Sequence, residues 1–174
     1  MALVKEILGL GDNFKVLFMT GGASTQFALI PLNFLSDDKV GAYVDTGTWS
    51  TKAIKEAGII GNMHLAASSK DEGYTFIPKM SDIKYPDNTG YLHITSNNTI
   101  KGTQYHEFPE TGDIPLICDM SSDIASRQID YSKFSLIYAG AQKNLGPAGV
   151  TVVAIREELL AKCKEGLPSM FNYQ

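Results

Sequence analysis

Short apolar blocks recur along the chain, separated by glycine and polar loops. They are KVLFM at 15–19, VGAYVD at 40–45, MHLAA at 63–67, YLHITS at 91–96, IPLIC at 114–118, FSLIY at 134–138 and VTVVAI at 150–155. Apolar runs of this length bounded by turn residues predict buried strands. Helical spacing appears between them. Ala2 to Leu10 sets Leu3, Ile7 and Leu10 on one face, with Gly11 as a stop. QFALIPLNFL suits a helix despite Pro31, and Trp49 to Ala57 reads as an amphipathic helix ending at Gly58. Arg156 to Lys164 reads as a helix with acidic residues in its first turn and Lys162 and Lys164 in its last. Strands alternating with helices predict one α/β unit, a mostly parallel sheet covered on both faces. Residues 68–87 predict surface loop with a short helix around Ser81 and no chemistry.

The chemistry gathers in the loops after the strands. Lys143 lies in a loop of small residues between the runs at 134–138 and 150–155. Two buried strands would set its amine at the edge of a low-dielectric interior, which frees an amine as a nucleophile. Gly21-Gly22-Ala23-Ser24-Thr25 follows a strand and opens a helix, an arrangement that aims free amides and the helix dipole at an anion. The same residues also read as a tight turn with a Ser/Thr cap. Asp119 closes a buried strand, where a carboxylate needs a partner, a helix amide or an ion pair. Trp49 is the only tryptophan and either faces a ligand ring or plugs the core. Thr99 lies in a loop at a strand's carboxyl end, where parallel sheets bind ligands.

Composition narrows the partners. A formal charge of -4 with no basic stripe argues against nucleic acid. No apolar run reaches the ~18 residues of a membrane span, and no signal-peptide pattern is present, so the expected setting is the cytoplasm. Cys118 and Cys163 lack metal spacing and read as reduced and structural, and no metal site is expected. His64, His93 and His106 read as structural or surface residues.

Five stretches, GGASTQFALIPLNFL, YVDTGTWSTKAIKEA, NNTIKGTQ, CDMSSDIASRQID and IYAGAQKNLGPAGVTVVAIRE, resemble the phosphoserine aminotransferases, enzymes of the aspartate-aminotransferase-like fold that depend on pyridoxal 5'-phosphate (PLP). The resemblance runs through nearly the whole chain. It implies a three-layer PLP-transferase large domain over 1–174, with Lys143 as the Schiff-base lysine and general base. By the same resemblance Asp119 pairs with the pyridine nitrogen, Trp49 stacks on the ring and Thr99 bonds the phenolate oxygen. Ala23, Ser24 and Gln142 would contact the cofactor phosphate. The implied reaction exchanges O-phospho-L-serine and 2-oxoglutarate for 3-phosphooxypyruvate and L-glutamate in serine biosynthesis, by a homodimeric enzyme. Some bacterial members also serve pyridoxine biosynthesis.

Family members carry a segment before the first helix and a small domain after the last, and this sequence begins after the one and stops before the other. The expectation is therefore a truncated core with little activity alone, since the substrate-clamping residues of the family lie in those parts. Two other functions fit parts of the sequence. A cysteine desulfurase shares the fold but places His directly before the lysine, where this chain has Gln142. A non-catalytic phosphate- or nucleotide-binding module would use Gly21 to Thr25 and leave Lys143, Asp119 and Trp49 without a role.

Overall fold

The computed structural model describes Met1 to Gln174. The elements run α1 (Ala2–Leu8), β1 (Phe14–Met19), α2 (Gly22–Phe34), β2 (Val40–Asp45), α3 (Thr48–Ile60), β3 (Met63–Ser68), β4 (Thr89–Thr95), β5 (Asn97–Asn98), β6 (Thr103–Gln104), β7 (Leu116–Asp119), β8 (Leu136–Gly140), β9 (Thr151–Arg156) and α4 (Glu157–Leu160). One sheet takes the strands in the order β1-β9-β8-β7-β4-β2-β3, and β5 and β6 form a separate small ribbon. The pairs β3/β2, β2/β4, β4/β7 and β7/β8 are parallel, while β9 runs antiparallel to both β8 and β1. The sheet is thus mostly parallel with one reversed strand. Ala141 to Val150 is too short for the crossover a parallel partner requires, so β9 has to return beside β8.

Alternation along the central strands sends side chains to two cores. Tyr43, Tyr91, Ile117, Tyr138 and Val153 meet Phe27 and Ile30 of α2 and Ala53 and Ala57 of α3. Val44, Leu92, Ile94, Cys118 and Ile137 face the other way, onto Leu8, Tyr105, Phe108, Met120 and Phe134. This second cover is α1 plus irregular chain and 3-10 turns rather than a full helical layer.

Several elements depart from the sequence expectation. α1 stops at Leu8 because Gly9 takes a left-handed cap at φ 61°. Leu10 therefore leaves the helix, Val4 and Leu8 turn inward, and Leu3 and Ile7 stay more than 60% exposed. β1 is an edge strand with only Phe14 and Val16 buried. α3 passes through Gly58 and closes at Gly61, whose amide bonds Ala57 O. α4 is one turn long. Beyond it Lys164 N leaves the helical path and donates to Asn33 O at 2.8 Å.

The carboxyl-terminal residues are sewn onto α2. Asn33 donates to Phe171 O at 2.7 Å and accepts from Tyr173 N, and Tyr173 OH donates to Gln26 Oε1 at 2.7 Å. Gln26 and Asn33 lie two helical turns apart, on one face of α2.

Candidate functional site

The carboxyl ends of the parallel strands and the start of β9 enclose a cavity of about 270 Å3. It is lined by Gly21 to Ser24, Trp49, Thr95, Asn97, Asp119, Ser121, Ser122, Gly140 to Lys143 and Ala148 to Val150. Six of the seven residues expected from the sequence line it: Ala23, Ser24, Trp49, Asp119, Gln142 and Lys143. Thr99 stands at the rim, where its Oγ1 accepts from Lys143 Nζ at 2.7 Å.

β1 delivers the chain to Gly21 and Gly22, both at positive φ, 87° and 70°. A Cβ on Gly21 would fall 2.1 Å from Thr25 Oγ1, so glycine is required there. No side chain caps α2, and Thr25 Oγ1 instead donates backwards to Gly21 O. The first amides of α2 are therefore without a side-chain cap, so a Ser/Thr cap is not what these residues form. Gly140 packs directly against them, because a Cβ there would lie 2.9 Å from Ala23 N. Gly140→Ala should lower stability by about 1–3 kcal/mol, the usual cost of overpacking against an unyielding backbone. Urea unfolding checks this, and an unchanged midpoint would show that α2 has room to shift.

Trp49 opens α3, and its loop is held by a buried knot. Ser50 Oγ accepts from the amides of Thr46 and Gly47 and donates to Asp45 Oδ1, each at 2.9 Å. Tyr74 OH reaches Asp45 Oδ2 at 3.0 Å. The segment after β3, read from sequence as without chemistry, thus braces the Trp49 loop. Buried Asn98 bonds Thr46 Oγ1, tying that loop to the one carrying Thr99. Trp49 packs against the α2/α3 core and also lines the cavity. Lys52 and Lys143 place their amines 4.5 and 5.6 Å from its ring centre.

Asp119 ends β7 opposite Thr95 of β4 and is buried. Its Oδ1 accepts from Ser121 N at 2.9 Å and Ser121 Oγ at 2.6 Å. Burial pushes its carboxyl above the usual range, and the Ser121 bonds and the charge on Lys143 oppose that rise. Lys143 itself differs from expectation, because its side chain is exposed at the cavity mouth rather than at a low-dielectric edge. The loop holds it at φ 51°, a left-handed conformation uncommon for lysine.

Thr95, Asn97, Ser121 and Ser122 line the cavity and were given no role from sequence. Thr95 Oγ1 and Trp49 Nε1 are buried without a protein partner. Alternation in YLHITS could have placed Thr95 beside the strand-end aspartate. His93 is buried and structural, with Nε2 at 2.9 Å from Tyr138 OH, and His64 bonds Lys84 O. No group of His, Cys, Asp or Glu is clustered to hold a metal, and no helix is long and apolar enough to cross a membrane.

Sheet order and cleft together define an α/β protein with its site at the carboxyl edge of a largely parallel sheet. Residues 2–171 match the family model described as aminotransferase class-V, and the chain belongs to that family. A phosphoserine aminotransferase of Desulfatibacillum aliphaticivorans is 60% identical over 171 residues, covering 98% of this chain and 47% of the relative. The structure of a phosphoserine aminotransferase from Bacillus circulans subsp. alkalophilus superposes with a TM-score of 0.96 at 55% identity, covering 99% of this chain and 48% of that one. A PLP-bound phosphoserine aminotransferase from Trichomonas vaginalis gives 0.87 at 35%, over 98% of this chain and 48% of that one. The chain spans about half the length of the relatives it matches.

Proposed function

We propose that residues 1–174 form the PLP-binding large domain of a phosphoserine aminotransferase. The observation that carries this reading is the meeting of a lysine amine, a buried carboxylate, an indole and an uncapped helix N-terminus around one cavity. The residues present fit the cofactor: α2 offers free amides to a phosphate, and Gly140 lets that cradle approach β8.

Bound there, PLP supplies an aldehyde carbon for an amine and a ring that withdraws electrons from it. Ala23 and Ser24 would hold the phosphate through their amides, with Gln142 beside them. Trp49 would cover the ring and exclude water from it. Asp119 would hold a proton at the ring nitrogen, and the Thr99 hydroxyl would bond the phenolate oxygen. Lys143 would supply the amine that holds the cofactor's aldehyde carbon and the base for a proton at the substrate alpha carbon. Its 2.7 Å bond to Thr99 supports this pairing of roles.

The names of the relatives support phosphoserine as the amino donor, and the proposed exchange is completed by 2-oxoglutarate as acceptor, giving 3-phosphooxypyruvate and L-glutamate in L-serine biosynthesis. Action on a phosphorylated threonine derivative in pyridoxine biosynthesis is the corresponding side activity. Free, buried cysteines suit a cytoplasmic protein. Exposed Leu3, Ile7, Phe18 and Met170 suit a homodimer.

A visible-absorbance titration with PLP, run beside Lys143→Ala with both chains checked for folding by circular dichroism, tests the reading. A lysine-dependent band that borohydride reduction fixes covalently to the chain is expected. Phosphate-competable binding that is identical in Lys143→Ala would favour the non-catalytic anion module instead.

A further inference from the structure

Ser121 has no role in the account above, yet it touches the cleft's buried carboxylate twice. Its amide and hydroxyl both donate to Asp119 Oδ1, at 2.9 and 2.6 Å. Its hydroxyl oxygen also accepts from Gly140 N at 3.1 Å. One oxygen atom therefore joins the ends of β7 and β8, strands already in register through Asp119 and Tyr138. Gly140 is also the residue against which the first amides of α2 pack. The hydroxyl has one proton and gives it to Asp119, while the Gly140 amide supplies its own, so the donor and acceptor roles are consistent. Asp119 Oδ1 is occupied and Oδ2 has no protein partner, although Asp119 lines the cavity.

We infer that Ser121 is the positioning residue of the cleft, locking Asp119 Oδ1 to the end of β8 so that Oδ2 is the oxygen presented to the ring nitrogen of the ligand. The inference rests on the cofactor reading above. A free-swinging carboxylate would lose rotational entropy on each binding event, whereas one held by two bonds is already oriented.

Charge adds to orientation. The titratable groups around Asp119 are Lys143 from the β8–β9 loop, Asp123 from the turn after β7, Cys118 next to it in β7 and Tyr138 from β8. Behind Tyr138 lies His93, kept neutral by burial. Cys118 and Tyr138 are also held neutral by burial, and Asp123 repels the Asp119 charge. Lys143 attracts it but is exposed and screened. The Ser121 bonds are the largest influence favouring the charged form of Asp119.

The test compares the 174-residue chain with Ser121→Ala and Ser121→Thr. Carbon-13 NMR follows the Asp119 carboxyl, its resonance identified by loss in Asp119→Asn. Quenching of the Trp49 fluorescence follows PLP binding. In Ser121→Ala the Asp119 titration midpoint should rise by about one pH unit, as expected on losing a hydrogen bond to the charged form. PLP should bind roughly tenfold more weakly at pH 7, the cost of ordering a freed carboxylate on binding. Ser121→Thr keeps the hydroxyl and should restore both values, which a packing effect alone would not do. An unmoved midpoint in Ser121→Ala, or a PLP affinity equal to that of the unaltered chain, overturns the inference. If the unaltered chain binds no PLP while the midpoint moves as expected, the cofactor reading fails and the assignment of a ligand to Oδ2 goes with it.

Discussion

Asp119→Asn should bind PLP at least about 30-fold more weakly than the unaltered chain and yet melt at a higher temperature at pH 7. The weakening follows from Ser121, which needs an acceptor at the Oδ1 position. That demand turns the new amide NH2 toward the cavity, so a donor replaces the anion that faced the ring nitrogen. Removing one partner of a desolvated charge pair costs ~2 kcal/mol or more, which sets the fold-change. The stability gain has the opposite sign for a physical reason. Burial raises the Asp119 carboxyl above its ordinary value of 3.8. Between that value and the raised one the folded chain holds a proton that the unfolded chain has released, so stability falls as pH rises through the window. Above the raised value the deficit is complete. Asparagine carries no such deficit, so its advantage should be full at pH 7 and vanish below pH 3.8. Trp49 fluorescence titrations and thermal scans at the two pH values measure both effects. Equal affinity in the variant would remove Asp119 from the ligand set.

His93→Phe should flatten the acid limb of stability. His93 is buried between Tyr43 and Tyr138, with ring centres 5.0 and 5.9 Å away. Burial holds its imidazole down to about 3 from an ordinary 6.5. Below pH 6.5 the unfolded chain takes up a proton that the folded chain refuses. Stability is therefore full above that pH and should drop by about 1.4 kcal/mol per pH unit below it, until pH nears the folded value. Phenylalanine keeps the aromatic contacts and removes the titration. It also leaves Tyr138 OH without the partner now at 2.9 Å, costing about 1–3 kcal/mol at pH 7. The two stability curves should then converge, and cross, as the solution is acidified. Urea unfolding at pH 7, 5.5 and about 4.5 reads the slopes, and parallel curves would mean that His93 is protonated or open to solvent in the folded chain.

Much of the site was legible because its residues sit where local rules act strongly. Two adjacent glycines after an apolar run could only make a turn into α2, and a strand-end aspartate was bound to fall at the sheet's carboxyl edge. Lys143 stood out through the small residues around it, although its exposure did not. Exposure depends on how far the loop stands off the sheet, which no pattern in one loop encodes. The direction of β9 was readable in principle from the short connection before it. α3 running through Gly58 was not, since the buried Ala53 and Ala57 outweigh the roughly 1 kcal/mol that glycine costs inside a helix. Ser121 and the docking of Tyr173 on Gln26 were hidden for a shared reason. Each acts through a partner on another element, from Ser121 to Gly140 or from Tyr173 to α2. A serine or tyrosine in isolation carries no mark of that.

The reversed strand also sets the order of assembly. β9 lies between β1 and β8, and its register pairs Phe14 with Arg156. During synthesis the apolar side chains of β1 therefore wait for a partner until the chain has been made through Arg156. Closing so long a loop is entropically slow compared with pairing β2, β3 and β4. The cleft takes its floor from β4 and β7, which can form early, but its Lys143 wall belongs to the connection into β9. Ligand affinity should thus arise only after β9 has paired with β8.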